Sequence, residues 1–194
     1  MTFCKEVTAG STWDENVLPL AEEGLNTEDS LLLIYVHLWG NHPIYNARYP
    51  QSYSKFSPKD YDNLQPHQRQ TIAEYDNSVL YNDYVVSELL NMLKDKEAVA
   101  IYCPDHAQDL YESSPDYCGH GVKGPKSAFY GTQIPFMVYT SPLYQERFSE
   151  MTRRIRESVD RKFRTDDLIY TVMDLVGVKF QDNDDVARYS LFRE

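Results

Sequence analysis

The chain has 194 residues, enough for one domain or a large piece of one. Its 42% hydrophobic content supports a real core and excludes a disordered chain, while a net charge of −11 leaves no basic footprint for nucleic acid. Three cysteines (Cys4, Cys103, Cys118) make no C-x-x-C pair and no disulfide framework, and the longest apolar run is strand-sized, not membrane-spanning.

In chain order, the opening Met1-Thr2-Phe3-Cys4-Lys5-Glu6 has no apolar core of a signal peptide. Leu31-Leu32-Leu33-Ile34-Tyr35-Val36 reads as a fully buried strand, because it is short, continuous and apolar. Residues 75–95 read as a helix, with Val79, Val86, Leu89, Leu90 and Leu93 on one face. Residues 98–102 form a second buried strand, and residues 134–139 a third with Pro135 near its start. Strand, helix, strand is the parallel crossover pattern. Residues 142–162 follow as a charged helix capped by Ser141, and residues 165–176 as a helix capped by Thr165 and ended by Gly177. Val178-Lys179-Phe180 suits a short edge strand, and the acidic tail from Gln181 is expected to be loose until Tyr189-Ser190-Leu191-Phe192. The expected class is α/β, a mostly parallel sheet flanked by helices.

Chemistry concentrates where that fold builds sites, at the carboxyl ends of strands. Pro104-Asp105-His106 directly follows the strand at 98–102, and a carboxylate beside an imidazole suits a divalent metal. Val36-His37-Leu38-Trp39-Gly40-Asn41-His42-Pro43 follows the first strand, and Tyr117-Cys118-Gly119-His120-Gly121 forms another loop; four of the five histidines lie in these three segments, which is what lifts a metal reading above coincidence. Each histidine taken alone is more often a structural residue. Cys103 reads as a buried thiol and Cys118 as at most a minor ligand.

Five blocks carry a family resemblance. The segment from Val36 to Pro43, with Tyr45, Arg48-Tyr49-Pro50 and Phe56 behind it, resembles the His-x-x-Gly-Ser/Asn-His-Gly-Pro … Tyr … Arg-Tyr-Pro … Phe stretch of bacterial phosphoethanolamine transferases, members of the alkaline phosphatase and sulfatase superfamily. Tyr75-Asp76-Asn77-Ser78-Val79-Leu80-Tyr81-Asn82-Asp83 is similar to that family's Tyr-Asp-Asn-Ser helix start. Tyr102-Cys103-Pro104-Asp105-His106 resembles its Tyr-x-Ser-Asp-His-Gly-Glu block, Tyr117-Cys118-Gly119-His120-Gly121 its Tyr-x-His-Gly loop, and Gln133-Ile134-Pro135-Phe136 its Gln-x-x-Val-Pro strand entry.

The resemblance implies an alkaline phosphatase/sulfatase-like fold and metal-dependent transfer of phosphoethanolamine from a phospholipid to lipid A or a glycan acceptor. The metal is Zn2+ or another divalent ion. It implies a threonine nucleophile that forms a phospho-enzyme intermediate, Asp105 and His106 as two metal ligands, and His42 and His120 as groups binding substrate phosphate or a second metal. His37 matches a family histidine but could equally face the core. Residues 75–94 are scaffold on this reading. It also implies the periplasmic face of the inner membrane, reached through an amino-terminal anchor, and no nucleic-acid partner.

The match also departs from the family. The nucleophile and the acidic metal ligand lie upstream of the His-x-x-Gly-x-His block in the family, and Thr8, Ser11 and Thr12 are too near the first strand to replace them. Residues 1–194 are therefore expected to be the carboxyl-terminal part of a catalytic domain, with nucleophile and anchor absent and no activity in isolation. Ala107 and Gln108 stand where the family has Gly and Glu, and His67 and Gln70 occupy a region where it has disulfide cysteines. His67 reads as a solvated loop residue. Two alternatives stay open: a sulfatase or phosphodiesterase of the same superfamily, and a truncated domain that binds a ligand without catalysis.

Overall fold

The computed structural model describes residues 13–27, 31–121, 123–178 and 185–193. In chain order it contains α1 (Leu18–Leu25), α2 (Pro66–Asn91), β1 (Val99–Tyr102), β2 (Asp109–Leu110), β3 (Cys118–Gly119), α3 (Pro125–Thr132), β4 (Met137–Thr140), α4 (Pro142–Arg147), α5 (Ser149–Glu157), α6 (Leu168–Leu175) and α7 (Asp185–Tyr189). These divide into two units, Met1–Met92 with Gln108–Thr132, and Leu93–Ala107 with Gln133–Glu194.

The first unit is organised by α2. It starts nine residues before the expected position, at Pro66, whose missing N–H costs nothing in the first turn, while the Gln68 side chain accepts the Gln65 N–H at 2.9 Å. Its buried stripe includes Gln68, Ala73, Asn77, Tyr81, Asn82 and Val85. Such a polar and aromatic stripe carries little apolar periodicity, which is why the early turns escape a hydrophobic reading. Val79, expected on the inner face, is exposed, and His67 is exposed as expected but sits in the first helical turn rather than a loop. Tyr49, Tyr81 and Val85 form the core, with Trp13, Val17, Leu38, Tyr53 and Tyr84 packed around them. Tyr53 and Trp13 meet the Tyr81 ring edge-on at 5.0 and 6.5 Å.

Residues 31–36, expected to be a buried strand, are extended but pair with no strand among the described residues. Leu31 and Leu33 are each 81% exposed and Tyr35 87%. The even-numbered side is less open: Ile34 lies against Gly24 of α1, and Leu38 packs on the core. An apolar run marks a strand buried on both faces only when neighbouring strands exist to bury it.

In the second unit β1 pairs with β4 antiparallel, Val99 opposite Thr140 and Tyr102 opposite Met137. A mostly parallel sheet was expected, yet both strand pairs among the described residues, β1–β4 and β2–β3, are antiparallel. The expected crossover joined 31–36 to 98–102 through the helix, and among the described residues 31–36 pairs with no strand. β4 also starts later than expected, at Met137. The helix expected over 142–162 is two helices, broken at Phe148 (φ −114°, ψ 53°). Ser141 does cap, its Oγ accepting the Tyr144 N–H at 3.1 Å. Thr165 does not: it opens a 3-10 turn before α6, with Arg164 at the cap position. Gly177 (φ +69°) ends α6 as expected, with the Val178 N–H reaching Met173 O at 3.0 Å.

Lys179 and Phe180 of the expected edge strand, and residues 181–184 of the expected loose tail, lie outside the described residues. Beyond them the tail is ordered by contacts. Leu191 and Phe192 are buried, Thr171 Oγ1 accepts the Leu191 N–H at 2.9 Å, and Arg154 donates to Phe192 O at 2.7 Å while pairing with Asp174 at 2.6 Å.

Candidate active site

Asp105 and His106 sit three and four residues beyond the last residue of β1. Ser141 anchors the start of that strand: its Oγ accepts the Ala98 N–H at 3.1 Å, and its own N–H reaches Ala98 O at 3.0 Å. Pro104 restricts the backbone leaving β1. The pair then orders itself. Asp105 Oδ1 accepts the His106 N–H at 3.0 Å, and His106 Nδ1 lies 3.1 Å from Ala107 O. A carbonyl only accepts, so the contact puts a proton on Nδ1 and leaves Nε2 as the nitrogen that faces Asp105. That atom is 3.7 Å from Asp105 Oδ2. One carboxylate oxygen and one imidazole nitrogen thus lie close together, with the imidazole held by a backbone carbonyl. Cys103, expected as a buried strand thiol, is half-buried one residue past β1; burial, then the nearby Asp105 charge, pushes its thiol up.

His42 lies in the other unit, in an exposed turn. Its N–H reaches Trp39 O at 3.3 Å and its ring meets Trp39 edge-on at 5.2 Å. Asp14 accepts the Trp39 and Gly40 N–H groups at 3.1 and 2.8 Å. Arg48 donates to His42 O and Pro43 O, each at 3.3 Å, and lies 4.7 Å over the Trp39 ring. Two left-handed residues shape the turn: Gly40 (φ +53°), where glycine is free to adopt it, and Ile44 (φ +68°), where a β-branched side chain is strained. His37 is exposed and faces no core.

His120 is exposed at the end of the β2–β3 hairpin, where Asp109 stands opposite Gly119. Tyr117 closes that loop with a bond from its hydroxyl to Gly121 O at 2.6 Å. Cys118 faces Tyr45, with Sγ 3.9 Å from the hydroxyl, and burial pushes both groups above their usual range. A thiol held protonated is a poor metal ligand. Asp109 is fully buried; burial raises its carboxyl, but hydrogen bonds from Ser113 and Glu112 outweigh that and hold it below the ordinary range.

The residues singled out from the sequence therefore fall into two places. Asp105 and His106 come together in one unit, whereas His42 and His120 belong to the other. Among the described residues no three His, Cys, Asp or Glu side chains gather as a metal-binding group. Nothing in the sequence pattern singles out Asp14, which acts across 25 residues, or gives Arg48 a role beyond its motif. Nor does that pattern hint that Asn77 is a hub. Asn77 Oδ1 accepts the Lys55 and Phe56 N–H groups at 2.7 and 2.8 Å, and Nδ2 donates to Phe56 O at 2.9 Å.

A model of the sulfatase family matches residues 2–178, and the chain belongs to that family. Within it the chain is similar to phosphoethanolamine transferases. It is 33% identical over 179 residues to phosphoethanolamine transferase EptC of Escherichia coli K12, covering 89% of this chain and 30% of that protein. To EptA of Salmonella typhimurium it is 32% identical over 192 residues, covering 92% and 34%. To the Kdo(2)-lipid A phosphoethanolamine 7''-transferase of Escherichia coli K12 it is 29% identical over 156 residues, covering 77% and 27%. The chain thus spans about a third of the length of the curated relatives it matches. It superposes on the zinc complex of the C-terminal periplasmic domain of EcEptC from Escherichia coli with a TM-score of 0.82 at 30% identity, covering 97% of this chain and 53% of that one. The sulfatase-like α/β class expected from the sequence stands on that superposition.

Proposed function

We propose that this chain is the carboxyl-terminal part of the catalytic domain of a zinc-dependent phosphoethanolamine transferase. The donor is a phospholipid headgroup and the acceptor lipid A or a glycan, and transfer passes through a phospho-threonine supplied from outside these residues. The observation that carries the reading is the Asp105–His106 pair, whose carboxylate oxygen and Nε2 lie 3.7 Å apart just past a strand. This donor set fits zinc, supplying two of the usual four ligands. When bound, the metal would polarise a phosphoryl oxygen and lower the pKa of a coordinated nucleophile. The chain's own residues do the rest. Ala107 O holds the His106 proton on Nδ1, and His42 and His120 offer imidazoles to anionic phosphoryl oxygens.

The similarity to transferases supports this reading over sulfate-ester hydrolysis, and the name of one relative, a Kdo(2)-lipid A transferase, supports lipid A as acceptor. The neighbour's description as a periplasmic domain supports a periplasmic site. No helix among the described residues is long and apolar enough to cross a membrane.

Two experiments test the proposal. Zinc titration of the chain by calorimetry should show binding that weakens about tenfold or more in Asp105→Ala and in His106→Ala. Replacing the aligned region of Escherichia coli EptC with this chain should give phosphoethanolamine transfer that His42→Ala or Asp105→Ala abolishes. A folded chimera that hydrolyses sulfate esters and transfers nothing would overturn the reading.

A further inference from the structure

The turn that carries His42 is held by two side chains to which no role has been given. Across five consecutive residues, 39–43, four backbone groups are bound by charge. Asp14 takes two successive N–H groups, one on each carboxylate oxygen, and the Arg48 guanidinium takes two successive carbonyls. Hydrogen bonds to ionised groups are the stronger kind, and a forked guanidinium fixes direction as well as distance. Arg48 does a further job, because its guanidinium plane covers Trp39, whose ring abuts His42. The Asp14 bonds depend on Gly40, whose positive φ accompanies two adjacent N–H groups turned toward one carboxylate.

The turn is half-buried at Gly40, Asn41 and Pro43, yet it keeps a 62%-exposed Trp39 and a strained Ile44 at its edges. Strain kept at a surface loop points to a position that matters. We propose that Asp14 and Arg48 are positioning residues for His42: Asp14 sets the turn, while Arg48 clamps its carbonyls and seats Trp39 against the imidazole. The imidazole is thereby presented in one orientation to an anionic phosphoryl oxygen. This inference rests on the reading of His42 as a phosphate-binding group.

The test uses the 194-residue chain labelled with 15N-histidine, and inorganic phosphate as the probe. The His42 imidazole signal, assigned with His42→Gln, reports binding. Apparent phosphate affinity should fall about tenfold in Asp14→Ala and in Arg48→Ala, with part recovered in Arg48→Lys, which keeps the charge but not the fork. The thermal midpoint and the His106 signal should stay as in the parent chain, which separates positioning from a loss of fold. Equal phosphate affinity in folded Asp14→Ala and Arg48→Ala overturns the proposal. A parent chain whose His42 ignores phosphate overturns the functional reading of that residue instead. Positioning is then decided by amide exchange at Trp39 and Gly40: faster exchange in Asp14→Ala sustains it, and unchanged exchange refutes it.

Discussion

The two histidine-bearing segments are held in opposite ways. The Asp105–His106 pair is fixed by its immediate neighbours: a strand behind it, a proline before it, and bonds to residues one position away. The His42 turn has no strand behind it. It is fixed by Asp14 from 25 and 26 residues away and by Arg48 from five and six, and it carries a strained Ile44. A group at a strand end inherits its position from the sheet. A group in irregular backbone needs dedicated tethers, and each tether is a separate point of failure.

That contrast can be broken at several points. The largest effect belongs to Asn77→Ala, which strands the Lys55 and Phe56 N–H groups and Phe56 O behind the Arg48-Tyr49-Pro50 segment. The expected cost is about 3 kcal/mol in urea unfolding, since three hydrogen bonds are lost at about 1 kcal/mol each where the freed groups can turn to water. Ser141→Ala attacks the strand-held side. It removes the acceptor for the Ala98 and Tyr144 N–H groups and should cost about 2 kcal/mol, with zinc affinity at Asp105–His106 falling as β1 frays. Ile44→Gly should act in the other direction, raising stability by about 1 kcal/mol as left-handed strain is relieved at an exposed side chain.

The smallest effect is a pH dependence. Tyr81, whose hydroxyl accepts the Glu15 N–H beside Asp14, is pushed from 10 up to about 12, chiefly by burial. The unfolded chain ionises this tyrosine first, so its contribution is complete below pH 10 and is lost as pH rises toward 12. The urea midpoint of the parent chain should therefore fall more steeply over that window than that of Tyr81→Phe. Parallel curves would remove Tyr81 from the account.

Legibility in the sequence follows the same division. The place of Asp105-His106 just past a strand is legible because strand, proline and the Asp-His pair are contiguous, and β1, the Ser141 cap and the Gly177 stop are all local signals. The early turns of α2 were hidden because the polar side chain they bury, Gln68, buries well only once it finds a hydrogen-bond partner far away, at Pro115 O. The Phe148 break gives no warning, having neither Gly nor Pro at it. Asp14 was invisible for a simpler reason: one acidic residue among 30 Asp and Glu says nothing until the turn it binds has folded. The antiparallel pairing of β1 with β4 likewise depends on which strands meet, and apolar runs do not encode partners.

Residues 31–38 have a consequence for how the protein behaves in bulk. This extended stretch makes no backbone hydrogen bond among the described residues, and it presents Leu31, Leu33 and Tyr35 to water. Two such stretches from different molecules satisfy each other's amides and carbonyls by lying side by side. The encounter is second order, so concentration becomes a chemical variable of the chain. A dilute sample and a concentrated one age differently, and light scattering after storage records the self-adhesion of eight residues.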